Sequence, residues 1–239
     1  MAFSFITSLD FTINLKVTMK LSEKTLSLLK NFGSINQSIL FKEGNKLRTI
    51  SVMKNILAEA EIAEDIPQDF GIYDLNQFLN SLSVSQSPEL DFSNNQYVMI
   101  RGSDTKAKYF FADPSVIVSP PEKDISLPTE DLSFELNTQQ LDRLLKAASV
   151  LQLPDVSVVG EAGVVKIVVW DKKNDTSNDF SIIVGETDSE FSFNFKVENI
   201  KIIPGRYEVT ISEKLLSKFT SKDRNLCYYI ALEPDSVCK

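Results

Sequence analysis

Leu21, Thr25, Leu28, Leu29 and Phe32 recur at the i, i+4, i+7, i+8, i+11 spacing, while Lys20, Glu23, Lys24, Ser27, Lys30 and Asn31 fall off that stripe. A stripe of this period predicts an amphipathic helix with one face against a core. Ser22 suits its N-cap and Gly33 is the expected stop. Beyond Gly33 the pattern changes to short apolar runs, which read as strands at 38–42 and 47–53, joined by the hairpin signal Glu43-Gly44-Asn45. Another strand is expected over 55–62. Phe70-Gly71-Ile72-Tyr73 runs into a short helix capped near Asp74, and strands at 90–92, 97–101 and 106–111 complete a β-rich half.

The helical pattern then returns. Ser22-Glu23-Lys24-Thr25-Leu26-Ser27-Leu28-Leu29-Lys30 is matched 116 residues later by Thr138-Gln139-Gln140-Leu141-Asp142-Arg143-Leu144-Leu145-Lys146. Both copies open on a hydroxyl residue suited to capping and end in Leu-Leu-Lys. Around the second copy the order of elements repeats: a strand at 132–136, the helix over 138–150 and a hairpin of 156–159 and 164–170 around Glu161-Ala162-Gly163. A strand at 180–184 follows, then 190–195 running into a short helix at 196–201, and strands at 206–211 and 226–232. Two copies of so long a unit indicate a domain duplication rather than a solenoid. Between the halves, residues 114–128 hold four of the nine prolines, the mark of an extended connector, yet Val116-Ile117-Val118 within it is too apolar for a purely solvated linker.

Composition narrows the function. The 239 residues suffice for two ordinary domains, and no apolar run approaches the length of a membrane span. The two cysteines are too few for a disulfide framework and fit a reducing compartment. Histidine, the commonest general base and metal ligand, does not occur. Asp10 interrupts the apolar start of the chain, and no cationic lead precedes it, so a secretory signal is not expected. The alternation of Phe11, Ile13, Leu15 and Val17 either lengthens a first strand or belongs to an arm that precedes a second start at Met19.

No residue cluster calls for catalysis. Asp10, Glu23, Glu59, Glu61, Glu64 and Asp65 have no partner residues that would mark a site, and a solvated face accounts for them. No glycine-rich phosphate loop is present, Cys227 and Cys238 lack metal-ligand spacing, and Cys227 sits in the core-like run Leu226-Cys227-Tyr228-Tyr229-Ile230. Neither a cofactor nor a metal is expected. The cations are more informative: Lys20, Lys24 and Lys30 by the first helix, Arg143 and Lys146 on the second, and Lys201 after the last short helix. On one helix these would be ordinary surface cations. Equivalent helices of a duplicated unit present them on a common surface, with Asn76, Gln77, Asn80 and Gln139 beside them. Cations without adjacent stacking aromatics suit phosphate contact without base reading, and the net charge of -8 leaves room for such a face on an acidic body.

Several stretches resemble the sliding clamp of T-even-type bacteriophages, the DNA polymerase processivity factor. They are Met19-Lys20-Leu21-Ser22, Leu28-Leu29-Lys30-Asn31-Phe32, Ile72-Tyr73-Asp74-Leu75-Asn76 with Phe78-Leu79, and Ala112-Asp113-Pro114-Ser115. Asn194-Phe195, Pro204-Gly205 and Tyr229-Ile230-Ala231-Leu232-Glu233 with Asp235-Ser236 continue the series. The likeness runs in order from Met19 almost to the C-terminus, and the family normally begins near this Met19. It implies an α+β DNA-clamp fold of two tandem similar domains, 19–112 and 131–239, with 113–130 as connector and 1–18 as an N-terminal extension. Helices would line a ring of six such domains, a homotrimer, with antiparallel sheets outside.

By the same resemblance the ring encircles duplex DNA and tethers the replicative DNA polymerase. An ATP-driven clamp loader opens it, late transcription factors are further partners, and the setting is the cytoplasm of the infected bacterial host. Closure would pair the strand bearing Tyr109, Phe110 and Phe111 with the strand bearing Phe180, Ile182 and Val184 of the next copy. The alternative is that both are ordinary edge or core strands. A polymerase peptide would seat among Leu40, Phe41, Val116, Ile117, Val118, Ala231, Leu232 and Pro234, unless 116–118 only pins the connector to a sheet. The runner-up reading is a duplicated β-rich phage interaction or structural protein with no DNA in its centre.

Overall fold

A computed structural model describes residues 18–238. The first half runs β1 (Thr18–Met19), α1 (Glu23–Ile35), β2 (Ile39–Phe41), β3 (Gly44–Ile50), β4 (Ile56–Ile66), β5 (Phe70–Ile72), α2 (Leu75–Ser83), β6 (Glu89–Asp91), β7 (Tyr97–Arg101) and β8 (Lys106–Phe110). The second runs β9 (Leu132–Leu136), α3 (Thr138–Leu151), β10 (Asp155–Glu161), β11 (Val164–Trp170), β12 (Phe180–Glu186), β13 (Phe191–Lys196), β14 (Tyr207–Ser212), β15 (Leu216–Ser221), β16 (Leu226–Ala231) and β17 (Val237–Cys238). A single 3-10 turn, Val197–Asn199, stands where the first half has α2. The fold is therefore α+β in two tandem halves, and every ladder among the described residues is antiparallel.

The sheets show how the halves join. One has the order β1-β6-β7-β8, another β12-β11-β10-β13-β17, and a six-stranded sheet runs β3-β4-β16-β15-β14-β9. The last crosses the molecule, because β16 of the second half pairs with β4 of the first from Leu226↔Ala60 to Ile230↔Ile56. The helices pack on these sheets: α1 lies on α2, β3 and β4, and α3 lies on β11 and β12. The core reaches through both halves, from Leu29, Phe32 and Phe78 to Leu144, Phe193 and Tyr228.

Several expectations change. Gly33 does not end α1, which continues to Ile35 and is capped by Asn36. A Cβ on Gly33 would lie 3.0 Å from the Asn76 side chain, so this glycine serves the close approach of α1 and α2. Glu43-Gly44-Asn45 is not a hairpin tip: β2 pairs with β5, and β3 turns back through 51–55 to pair with β4. Asn137, not Thr138, caps α3, forming a reciprocal box with Gln140. The short helix expected at 196–201 is only the 3-10 turn, and β15 was not anticipated. The expected hairpin at 161–163 is present, with Ala162 (φ 50) and Gly163 (φ 83) in the left-handed conformation that a tight hairpin turn requires. Phe11, Ile13, Leu15 and Val17 lie outside the described residues.

Candidate nucleic-acid and partner interfaces

The helix faces carry the cations as the periodicity requires. Burial of Thr25, Leu28, Leu29, Phe32 and Ile35 in α1 leaves Lys24 and Lys30 exposed, with Lys20 just ahead of the helix. In α3, Leu141, Leu144 and Ala148 go inward and Arg143 and Lys146 outward. Lys20 and Lys30 border a groove of about 530 Å³ between α1 and α2, floored by Leu21, Leu26, Leu79 and Leu82. Lys20, Lys24, Lys30 and Lys146 make no ion pair among the described residues, whereas Lys172, Lys196 and Lys222 each meet a carboxylate.

Two cations have structural partners as well. The Arg143 guanidinium lies 5.5 Å from the Phe180 ring centroid, so it packs over β12. The Lys201 ammonium donates to the Ser34 carbonyl at 2.8 Å, and the Asn31 amide donates to the Lys201 carbonyl at 2.9 Å. Lys201 thereby fastens the end of α1 to the second half.

Both β8 and β12 are sheet edges, each paired on one side only among the described residues. Side chains on β8 alternate. The Tyr109 hydroxyl donates to the Asp74 carbonyl at 3.0 Å, and its ring meets Phe78 edge-on at 5.1 Å. Phe110 is 63% exposed, and Phe111, just past the strand, packs against Phe70 at 5.0 Å. On β12, Ile182 is buried and Phe180 and Val184 are half-buried against their own core. Ile183, which points the other way, is 65% exposed.

On the sheet face opposite the α1 stripe, the connector is strapped across β3, β4 and β16. Ile117 passes so close to β5 that a Cβ on Gly71 would stand 2.6 Å from its Cδ1. Val118 and Ile125 pack on the cluster of Ile50, Leu57 and Tyr229. Arg48 donates to the Pro121 carbonyl at 2.7 Å, Lys46 pairs with Asp124 at 3.1 Å, and the Tyr229 hydroxyl donates to the Ile125 carbonyl at 2.8 Å. Burial raises the Tyr229 hydroxyl well above the usual phenol range. Burial, with the Glu59 carboxylate alongside, pushes the Cys227 thiol up to about 12, so it carries no thiolate near neutral pH.

Residues 20–119 match the protein family described as DNA polymerase processivity factor, and residues 133–234 match that described as gp45 sliding clamp, C terminal. The sliding clamp of Vibrio phage KVP40 is 34% identical over 222 residues, spanning 90% of this chain and 99% of that protein. The sliding clamp of Enterobacteria phage T4 is 34% identical over 229 residues, spanning 92% and 99%. The chain belongs to the sliding clamp family. Solved clamps share its fold at low identity. The PCNA of A. fulgidus, bound to the C-terminal region of FEN-1, superposes with a TM-score of 0.66 at 14% identity over 93% of this chain and 99% of its own. The DNA polymerase III subunit beta of Pseudomonas aeruginosa gives 0.66 at 13% identity, over 96% and 69%.

Of the residues that the sequence assigns to a peptide pocket in this clamp, Phe41, Ile117 and Leu232 are packed in the core. Phe41 stacks on Phe70 at 4.5 Å and presents no free surface. Leu40, Val118 and Ala231 are half-buried, while Val116 and Pro234 are exposed. Sequence reasoning missed Val52 and Met53, 66% and 82% exposed on the turn between β3 and β4. That turn lies beside the tail, since the Asn55 carbonyl accepts from the Ala231 amide at 2.9 Å. The signal is an apolar pair immediately before Lys54-Asn55, at the end of the run whose pattern predicts a strand over 47–53. Among the described residues no cluster of three acidic or cysteine side chains could hold a metal, and no helix is long and apolar enough to cross a membrane.

Proposed function

We propose that three copies of this clamp close into a ring around duplex DNA and tether the replicative polymerase to it. One observation carries the reading. Within the chain, β16 of the second half pairs with β4 of the first, while β8 and β12, which hold the corresponding places in the opposite halves, are edges left unpaired among the described residues. Unpaired edges are costly unless covered, and joining β8 of one copy to β12 of the next repeats the junction already built into the chain. The working division is 19–112, 113–130 and 131–239, with Tyr109, Phe110, Phe111, Phe180, Ile182 and Val184 at the junction and Ile183 added.

Helices of all copies then face the hole. Lys20, Lys24, Lys30, Arg143, Lys146 and Lys201 supply phosphate contacts that are exposed, screened and few, so the ring slides and is retained by topology rather than affinity. The opposite face, with Leu40, Val52, Met53, Val116, Ala231 and Pro234, is the docking surface for the polymerase and for late transcription factors. A clamp-loader ATPase opens the ring, in the cytoplasm of the infected host. The test is Lys24→Glu with Lys30→Glu and Lys146→Glu, which leaves out Arg143 because of its contact with Phe180. Assembly mass should stay at about three times 26.9 kDa while loader-dependent synthesis on primed circular DNA falls at least ten-fold. Undiminished synthesis would show that these helices do not face DNA.

A further inference from the structure

Asn36 is 5% exposed at the C-terminus of α1, and its side-chain amide is fully used. The Nδ2 group donates to the Ile50 carbonyl at 2.8 Å and to the Val118 carbonyl at 3.2 Å. The Oδ1 atom accepts from the Ser38 amide at 3.0 Å and from the Ser38 hydroxyl at 3.3 Å. Two donors and two acceptor positions are all that an Asn side chain has. One residue therefore ties together the end of the α1 helix, the end of β3 and the connector, beside the apolar contact of Val118 with Ile50.

A second set of bonds holds the other side of the same turn. The Ser51 hydroxyl donates to Asn55 Oδ1 at 2.6 Å, and Asn55 Nδ2 donates to Asn199 Oδ1 at 3.0 Å. The turn carrying exposed Val52 and Met53 is thus fixed to the connector through Asn36 and to the second half through Asn199. Buried networks with every member satisfied hold backbone segments at one spacing, and half-satisfied ones do not. We propose that Asn36 is the positioning residue of the outer docking surface, setting the connector at Val118 against the 51–55 turn. The inference rests on the docking reading above.

The isosteric change Asn36→Asp tests it, because a carboxylate would face two carbonyls with no proton to give either. Amide exchange over 51–56 and 117–126 should accelerate at least ten-fold, and affinity for the full-length cognate polymerase should fall at least ten-fold. Assembly mass and the salt dependence of DNA retention should not change, a split that general loosening would not produce. If the Asp variant does not fold, Asn36→Ser, which buries no charge and cannot reach Val118, decides by the same readouts. Met53→Asp separates the two ideas. Loss of polymerase binding in Met53→Asp, with normal binding and exchange in the Asn36 variant, overturns the positioning role alone. Normal binding in both removes the docking reading and the positioning role with it.

Discussion

The last strand of the first half and the equivalent strand of the second meet different neighbours. β16 reads Leu226-Cys227-Tyr228-Tyr229-Ile230-Ala231 and is covered along its length by β4. Its Tyr228 hydroxyl donates to Asn31 Oδ1 at 2.8 Å and accepts from the Ile203 amide at 3.1 Å, so this buried phenol is paired on both counts. β8 reads Lys106-Ala107-Lys108-Tyr109-Phe110, and one of its sides faces no strand among the described residues. A junction that is permanent can be aromatic and dry. The edge strand β8 carries lysines, which discourage indiscriminate pairing, and among its large apolar side chains only the Phe110 ring is left exposed. On the proposed ring, one kind of junction would be built twice, once within the chain to stay closed and once between copies to open.

Charge placed in each junction gives the largest contrast. Leu57, 3% exposed, packs with Ile50 and Tyr229 where β4 meets β16, and Leu57→Asp should cost about 3–5 kcal/mol, because it leaves an unpaired charge in a sealed cluster. The chain should then fail to fold at 37 °C. Phe110→Asp with Ile183→Asp should leave thermal unfolding of the single chain unchanged and lower the assembly mass from about three times 26.9 kDa to that of one chain. A double variant that remains trimeric would show that β8 and β12 do not meet.

Acid should separate the two sheets next. Asp91, buried on β6, accepts from the Ser93 hydroxyl at 2.5 Å and from Arg101 at 2.6 Å, and these bonds hold its carboxyl down from 3.8 to about 2. A depressed carboxylate adds stability that is complete above about pH 4 and disappears as pH falls towards 2. The shift corresponds to roughly 2 kcal/mol at most, reduced because the Arg101 side chain is one-third exposed. Asp91 lies in the sheet that ends in β8, so between pH 4 and 2 assembly should fail before the fluorescence of Trp170, on β11 of the other half, changes. Asp91→Asn should already be weakened at pH 7 and lose the pH dependence in that window. Coincident transitions in the unchanged chain would argue against the separation.

Much of this contrast was legible in the sequence. The Leu-Leu-Lys helices, the connector prolines and the order of strands are local patterns, set by periodicity and turn chemistry. What escaped depends on pairing at a distance. Nothing near Gly44 says that β2 will leave β3 for Phe70–Ile72, or that β4 will extend to Ile66. Gly33 looked like a stop because the sequence does not show Asn76 arriving against it. The same limit applies to the sites. Phe41 and Phe111 are apolar and near the expected surfaces, yet each is drawn into the aromatic cluster around Phe70. Val52, Met53 and Ile183, equally apolar, are left outside by a turn and by strand alternation.

The smallest effect compares the two helices themselves. In α3 the Asn137 side chain accepts from the Gln140 amide at 2.9 Å, and the Gln140 side chain accepts from the Asn137 amide at 2.9 Å. In α1 the Ser22 hydroxyl accepts from the Thr25 amide at a longer 3.3 Å. Glu64 of β4 meanwhile takes the Ser22 amide and, at 2.7 Å, the Thr25 hydroxyl. The reciprocal box is local to α3, whereas the start of α1 is held by a strand and loses little if the hydroxyl goes. Asn137→Ala should cost about 1 kcal/mol and Ser22→Ala about 0.5 kcal/mol or less. In thermal unfolding that is about 2–4 °C against 1–2 °C for a chain of this size. Glu64→Ala should reverse the order by making α1 the more sensitive helix. If Ser22→Ala costs as much as Asn137→Ala in the unaltered background, the strand is not what holds the first helix.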